Sequence, residues 1–128
     1  MGLGWCCFRN YVAHAEEIGG DISEEYPRFF LKPASAHVEA DENGNNVIEL
    51  MNEEDHIDHE AELVVRLGDD LRPEAMCIGC DTTNRTRQTI AKNKRWPWTE
   101  GKAFRGSGVL GTWTQYQDGV LQVSMKVN

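Results

Sequence analysis

Glu60-Ala61-Glu62-Leu63-Val64-Val65-Arg66-Leu67 is the stretch that decides the fold class. Successive side chains of an extended chain leave opposite faces. Glu60, Glu62, Val64 and Arg66 therefore share one face, and Ala61, Leu63, Val65 and Leu67 share the other. The second face is wholly apolar, so the stretch reads as a strand resting that face on a core. Gly68-Asp69-Asp70 closes it. The first face carries two carboxylates, which repel one another unless something neutralises them. A hard divalent cation held by oxygen ligands would do so. The plainer alternative is a solvated edge strand, where charge discourages aggregation. His56 and His59 precede the acids, but His-x-x-His-Glu-x-Glu is not the helical zinc-protease order.

Working outward, residues 3–8 read as a short buried strand, and Tyr26–Leu31 as a second, ended by Pro33. Between them, residues 10–18 place Tyr11, His14, Ala15 and Ile18 at helical spacing before the stop at Gly19-Gly20. Asn43-Gly44, within Asp41–Asn46, is the strongest hairpin signal, with Val47–Leu50 as its return strand. Asp81 has the simple reading of a turn former or helix N-cap. Residues 86–94 read as a polar helix, with Lys92 and Lys94 near its C-terminus, where they suit the dipole. Trp96–Trp98 and Gly106–Gly111 read as loops, and Gly119–Val127 alternates like a last strand. The expectation is one domain over residues 1–128, mainly β (α+β) with a few short helices.

With 21 acidic and 13 basic residues the net charge is −8. That balance repels phosphate backbones, so nucleic acid is not an expected partner. No apolar run approaches the length of a membrane span. No export signal is visible, and Cys6 stands where a myristoylation motif needs Ser or Thr. The expected compartment is the cytoplasm. The 4 cysteines, Cys6, Cys7, Cys77 and Cys80, are then read as reduced thiols. Cys77 and Cys80 have the spacing of half a zinc site. Adjacent Cys6 and Cys7 diverge on a strand and make a poor second half.

Several blocks in the same order carry a resemblance. Arg9-Asn10-Tyr11-Val12-Ala13-His14-Ala15-Glu16-Glu17 resembles the N-terminal signature of the fumarylacetoacetate hydrolase superfamily. Phe30-Leu31-Lys32-Pro33 resembles its next block. His59–Gly68 is similar to its metal-binding strand, and Asp81-Thr82-Thr83-Asn84-Arg85-x-x-Gln88 to its Asp-x-Thr-x-Arg block. Trp96-Pro97-Trp98-Thr99, then Gly101-Lys102-Ala103-Phe104 and Leu110-Gly111-x-Trp113, complete the set. The resemblance implies a β-roll binding one Mg2+ or Mn2+ through Glu60, Glu62 and Asp81. It implies His14 and Glu17 as a water-activating dyad. Lys102, Arg85 and Gln88 would stabilise developing negative charge, and Arg9, Tyr11 and Lys32 would lie near the substrate. The implied reaction is C–C cleavage of an acylpyruvate or β-diketo acid through a metal-stabilised enolate, with oxaloacetate decarboxylation as a related branch. The implied partner is a second copy of the chain in a homodimer.

Three features depart from the family pattern. The stretch between Glu62 and Asp81 is short. Arg105 stands where relatives carry an acid. The last residues, Val123–Asn128, resemble only the beginning of a family hairpin, and the later Gly-Thr-Pro loop is absent. The expectation is a roll incomplete at its C-terminus. Its alternatives are an inactive metal-binding or dimerising remnant, or a small zinc module on Cys77 and Cys80.

Overall fold

The computed structural model describes residues 2–10, 27–49 and 53–127. Its centre is the long antiparallel pair of β4 (Ile57–Leu67) and β5 (Pro73–Asn84), in continuous register from Ile57 opposite Asn84 to Arg66 opposite Ala75, with a one-residue shift before Leu67 opposite Pro73. The turn between them is built locally. The Gly68 amide donates to the Arg72 carbonyl at 2.9 Å, and Asp70 Oδ1 accepts from the Arg72 amide at 3.0 Å. An Asp side chain that bonds the backbone two residues on is a standard turn former.

On its other side β5 pairs antiparallel with β6 (Gly108–Leu110), which pairs in parallel with β3 (His37–Glu39). The strand order is β3-β6-β5-β4, and β7 (Thr114–Gln115) pairs with the start of β5. A separate two-stranded sheet joins β1 (Gly4–Cys7) to β2 (Phe29–Lys32). Helix α1 (Arg85–Lys94) follows β5 without a loop. Asn84 caps it by accepting from the Arg87 amide at 3.0 Å, which satisfies one of the orphan first-turn donors. It ends at Arg95, in the left-handed conformation at φ 57°. Helix α2 (Thr99–Lys102) packs back onto α1. The architecture is thus mainly β with short helices. Among the described residues no helix is long and apolar enough to cross a membrane.

Several expectations shift. The turn at Asp41–Asn45 forms, with Asp41 Oδ1 accepting from the amides of Asn43 and Asn45 at 2.9 and 2.8 Å. Its return strand does not, because residues 47–49 are not in a strand and β3 pairs with β6 instead. The turn needs only its own side chain. A strand partner is chosen by burial, and β6 is buried along its whole length. For the same reason part of the expected 106–111 loop is a strand. Residues 119–127 alternate yet belong to no strand among the described residues. The helix expected over residues 10–18 lies, beyond Asn10, outside the described residues.

The larger correction concerns the faces of β4. The apolar face expected to rest on a core is the open one: Leu63, Val65 and Leu67 are 38%, 36% and 52% exposed. The carboxylate face is half-buried. On β5 the matching face, Ala75, Cys77, Gly79 and Asp81, is buried. The core therefore lies on the side that carries the acids. Strand β5 also sends Cys77 and Cys80 to opposite faces, three residues apart. Both thiols are free, and the strand gives a zinc module no clamp.

Candidate metal centre

The β4–β5 register builds the site. Glu60 lies directly opposite Asp81, and Glu62 opposite Gly79. Directly opposed residues share a face, and so do residues two apart. All three acids therefore leave the same face at adjacent positions. One oxygen from each lies within 4.8 Å of the others. Asp81 is buried, 4% exposed, and an ionised carboxylate at that depth needs partners.

Two lysines supply them. Lys102, at the end of α2, donates from Nζ to Asp81 Oδ2, to Thr83 Oγ1 at 2.6 Å and to Glu60 Oε2 at 3.3 Å. Lys32, at the end of β2, places Nζ 3.0 Å from Asp81 Oδ1 and donates to the Lys102 carbonyl. The Ser107 hydroxyl donates to that same carbonyl at 3.0 Å. Gly108 is what lets Lys32 in. It sits opposite Asp81 in β6, and a Cβ there would lie 2.6 Å from His37 Cδ2 and 3.2 Å from Lys32 Cδ.

The cations pair with Asp81 and Glu60, and among the described residues Glu62 has no ion pair of its own. Its carboxyl is pushed up to about 7, first by burial and then by Asp81 and Glu60, while Lys102 and Lys32 pull it back. Burial lowers the Lys32 ammonium, and Asp81 opposes that shift. Both directions follow from the cost of isolating a charge from water and from the sign of its neighbours.

Helix α1 brings a second group. Arg85 donates from Nε to Asp58 Oδ2 at 2.7 Å and from Nη1 to Gln88 Oε1 at 2.7 Å, with Nη2 3.6 Å from Glu60 Oε1. Gln88 is buried. The site opens into a cavity of about 940 Å³, lined among others by Arg9, Glu60, Glu62, Asp81, Arg85, Gln88 and Lys102.

The expected site residues therefore divide. Glu60, Glu62, Asp81, Lys102, Arg85 and Gln88 come together. Lys32 backs Asp81, and Arg9 lies at the cavity wall. Tyr11, His14 and Glu17 lie outside the described residues. Thr83 and Lys92 were missed, and both were legible in hindsight. Thr83 is two residues from Asp81 on a strand. Arg85, Gln88 and Lys92 stand at i, i+3 and i+7, one face of a helix.

The family described as Fumarylacetoacetate (FAA) hydrolase C-terminal matches residues 4–128. The chain is 38% identical over 106 residues to the mitochondrial oxaloacetate decarboxylase of Dictyostelium discoideum, covering 75% of this chain and 47% of that protein. It is 37% identical over 107 residues to the mitochondrial oxaloacetate tautomerase FAHD1 of Arabidopsis thaliana, covering 76% of this chain and 46% of that one. The fumarylpyruvate hydrolase of Pseudomonas aeruginosa, solved with Mn2+ and pyruvate, superposes with a TM-score of 0.71 at 32% identity, over 87% of this chain and 52% of that one. The chain spans about half the length of the curated relatives it matches.

Proposed function

Because the chain belongs to the fumarylacetoacetate hydrolase family, we propose that it is a divalent-metal-dependent hydrolase cleaving a C–C bond in acylpyruvate or β-diketo acid substrates. Residues 1–128 would belong to one fumarylacetoacetate hydrolase-like catalytic domain, of which they span the part matched in the relatives. The convergence of Glu60, Glu62 and Asp81 oxygens within 4.8 Å carries this reading. The donor set fits a hard cation: three carboxylate oxygens, one of them on a carboxyl raised to about 7 by burial and then by its acidic neighbours. A bound Mg2+ or Mn2+ would supply Lewis acidity toward the adjacent oxygens of a 2-oxo acid.

The chain's own residues do the rest. His14 takes a proton from the attacking water at an imidazole nitrogen, and Glu17 raises that imidazole's basicity. The water oxygen adds to the distal carbonyl. The C–C bond then breaks, and its electron pair passes to the leaving carbon as an enolate, which takes a proton before release. Arg85 and Lys102 hold the negative charge as it builds, a role worth about 3 kcal/mol per donor in other enzymes. Gln88 fixes the Arg85 guanidinium through its 2.7 Å bond. Arg9 and Tyr11 orient the substrate, and Lys32 holds Asp81 in place. Oxaloacetate decarboxylation, a second reading favoured by the relatives' names, uses the same charge-holding groups and needs no attacking water. A second copy of the chain is the proposed partner.

Turnover of acetylpyruvate and of oxaloacetate, with Mn2+ and with EDTA, tests the proposal. Metal-dependent loss of either substrate, abolished in Asp81→Asn, is expected. Turnover indifferent to EDTA overturns it. Mn2+ binding without turnover of either acid turns the reading to the inactive remnant.

A further inference from the structure

Side chains two apart on a strand leave the same face, so Asp58, Glu60 and Glu62 share one face of β4. Glu60 and Glu62 meet Asp81, whereas Asp58 turns to α1. Its Oδ2 accepts from Arg85 Nε at 2.7 Å, and its Oδ1 lies 2.5 Å from His56 Nε2. The same guanidinium donates from Nη1 to Oε1 of the buried Gln88 at 2.7 Å. A guanidinium is planar, so bonds from two of its nitrogens to partners on β4 and α1 fix its plane. That plane sets Nη2 beside the triad, 3.6 Å from Glu60 Oε1. The backbone carrying the pair is fastened as well. The Arg85 amide donates to the His56 carbonyl at 2.8 Å, and the His56 amide donates to Thr86 Oγ1 at 2.9 Å. Asp55 Oδ2 accepts from Asn84 Nδ2 at 2.7 Å and from Arg87 Nε at 3.2 Å. The residues leading into β4 are thus laced to the first turn of α1. A solvated ion pair is weakened by the side-chain freedom it gives up. Here the chain has brought both partners together beforehand, and the bond serves orientation.

We propose that Asp58 is a positioning residue for the reaction at the metal centre, holding the Arg85 guanidinium in the plane from which it donates to negative charge building on the substrate. This rests on the functional reading above and adds a residue that belongs neither to the carboxylate triad nor to the charge-holding groups. A donor misplaced by about 1 Å costs up to about a hundredfold in rate, so a residue outside the triad controls turnover through the arginine it holds. The plainer role for Asp58 is to offset the positive end of α1. That role predicts a loss of stability with no dependence on Arg85.

A double-mutant cycle separates the two roles. Turnover of acetylpyruvate and oxaloacetate with Mn2+ is measured for the parent, Asp58→Ala, Arg85→Gln and the double variant. Asp58→Ala should lower kcat at least about tenfold and leave Mn2+ affinity within about threefold, because solvent screens a half-exposed charge. In the Arg85→Gln background the same substitution should cost less than about twofold, since the two side chains act as one unit. Asp58→Asn keeps one acceptor oxygen and should fall between parent and Asp58→Ala, which carries the test if the alanine chain does not fold. Equal losses in both backgrounds overturn the proposal, as does a loss of Mn2+ affinity in proportion to kcat. Proton–nitrogen NMR of the full chain with Mg2+ reads the positioning without turnover. The Arg85 Nε–H signal, identified by its absence in Arg85→Gln, should exchange with water at least about tenfold more slowly in the parent than in Asp58→Ala or Asp58→Asn. Exchange that neither substitution changes overturns the proposal. Exchange slowed by Asp58 in a chain that turns over neither acid keeps Asp58 as the residue that fixes Arg85 and sinks the functional reading.

Discussion

Lys102 and Glu62 act on the centre in opposite senses. The Lys102 ammonium sits among the oxygens a cation would take, so it stabilises the metal-free triad and competes with the ion. Lys102→Met leaves the three carboxylates without the ammonium that joins Asp81 to Glu60, with Lys32 still at Asp81 and Arg85 still at Glu60. The expected outcome is a less stable metal-free chain, Mn2+ affinity equal to or above the parent's, and turnover lower by about 10²–10³. Calorimetry and steady-state kinetics on one preparation read all three. Glu62 gives a pH dependence. Unfolded, its carboxyl titrates near 4.5; folded, near 7. Between those values the folded metal-free chain holds a proton that the unfolded chain has lost. Stability therefore falls as pH rises through that window and levels off above it. Thermal melts from pH 4.5 to 8 in EDTA should show this slope in the parent and its absence in Glu62→Gln. A parent whose melting temperature rises relative to Glu62→Gln across that window would contradict the assignment.

Among the elements, the α1–α2 contact positions the most chemistry with the least material. Gly101 is buried against α1, and a Cβ there would lie 2.9 Å from the Gln88 nitrogen and 3.0 Å from its Cα. Backbone cannot rotate away as a side chain can, so the two helices must part. Gly101→Ala should cost about 1–3 kcal/mol in urea unfolding and weaken Mn2+-dependent turnover, because Lys102 is the next residue. A variant with parent stability and turnover would show that α2 has room to move. Strand β4 teaches the complementary lesson. Its period-two pattern was legible in residues 60–67, and the strand is there. Which face would be covered was not legible, because that depends on α2 and β2, which bring Lys102 and Lys32 over the acidic side.

For the whole molecule, a cation held by the folded triad and not by the unfolded chain must stabilise the fold. At free Mn2+ a hundredfold above its Kd the gain is about 2.7 kcal/mol, reversed by EDTA. Denaturant melts with and without Mn2+ should show it in the parent and not in an Asp81→Asn chain. A parent unaffected by Mn2+ would mean that the carboxylates form only an ion-pair network with the lysines. The two acids on one strand face and the polar helix over residues 86–94 were readable from residue order, and the Asp-x-Thr-x-Arg segment only through its resemblance to a family block. Alternation and helical spacing are local geometry, written in neighbours along the chain. The ordered blocks also pointed to the family and to Lys102. The tertiary structure alone decided that Asp81 stands opposite Glu60, that Lys32 passes Gly108 to reach it, and that the Asn43-Gly44 turn has no return strand among the described residues. Register, burial and partner choice are set by pairings between residues far apart in sequence, where the free energy of covering a surface outweighs the preference of any short segment.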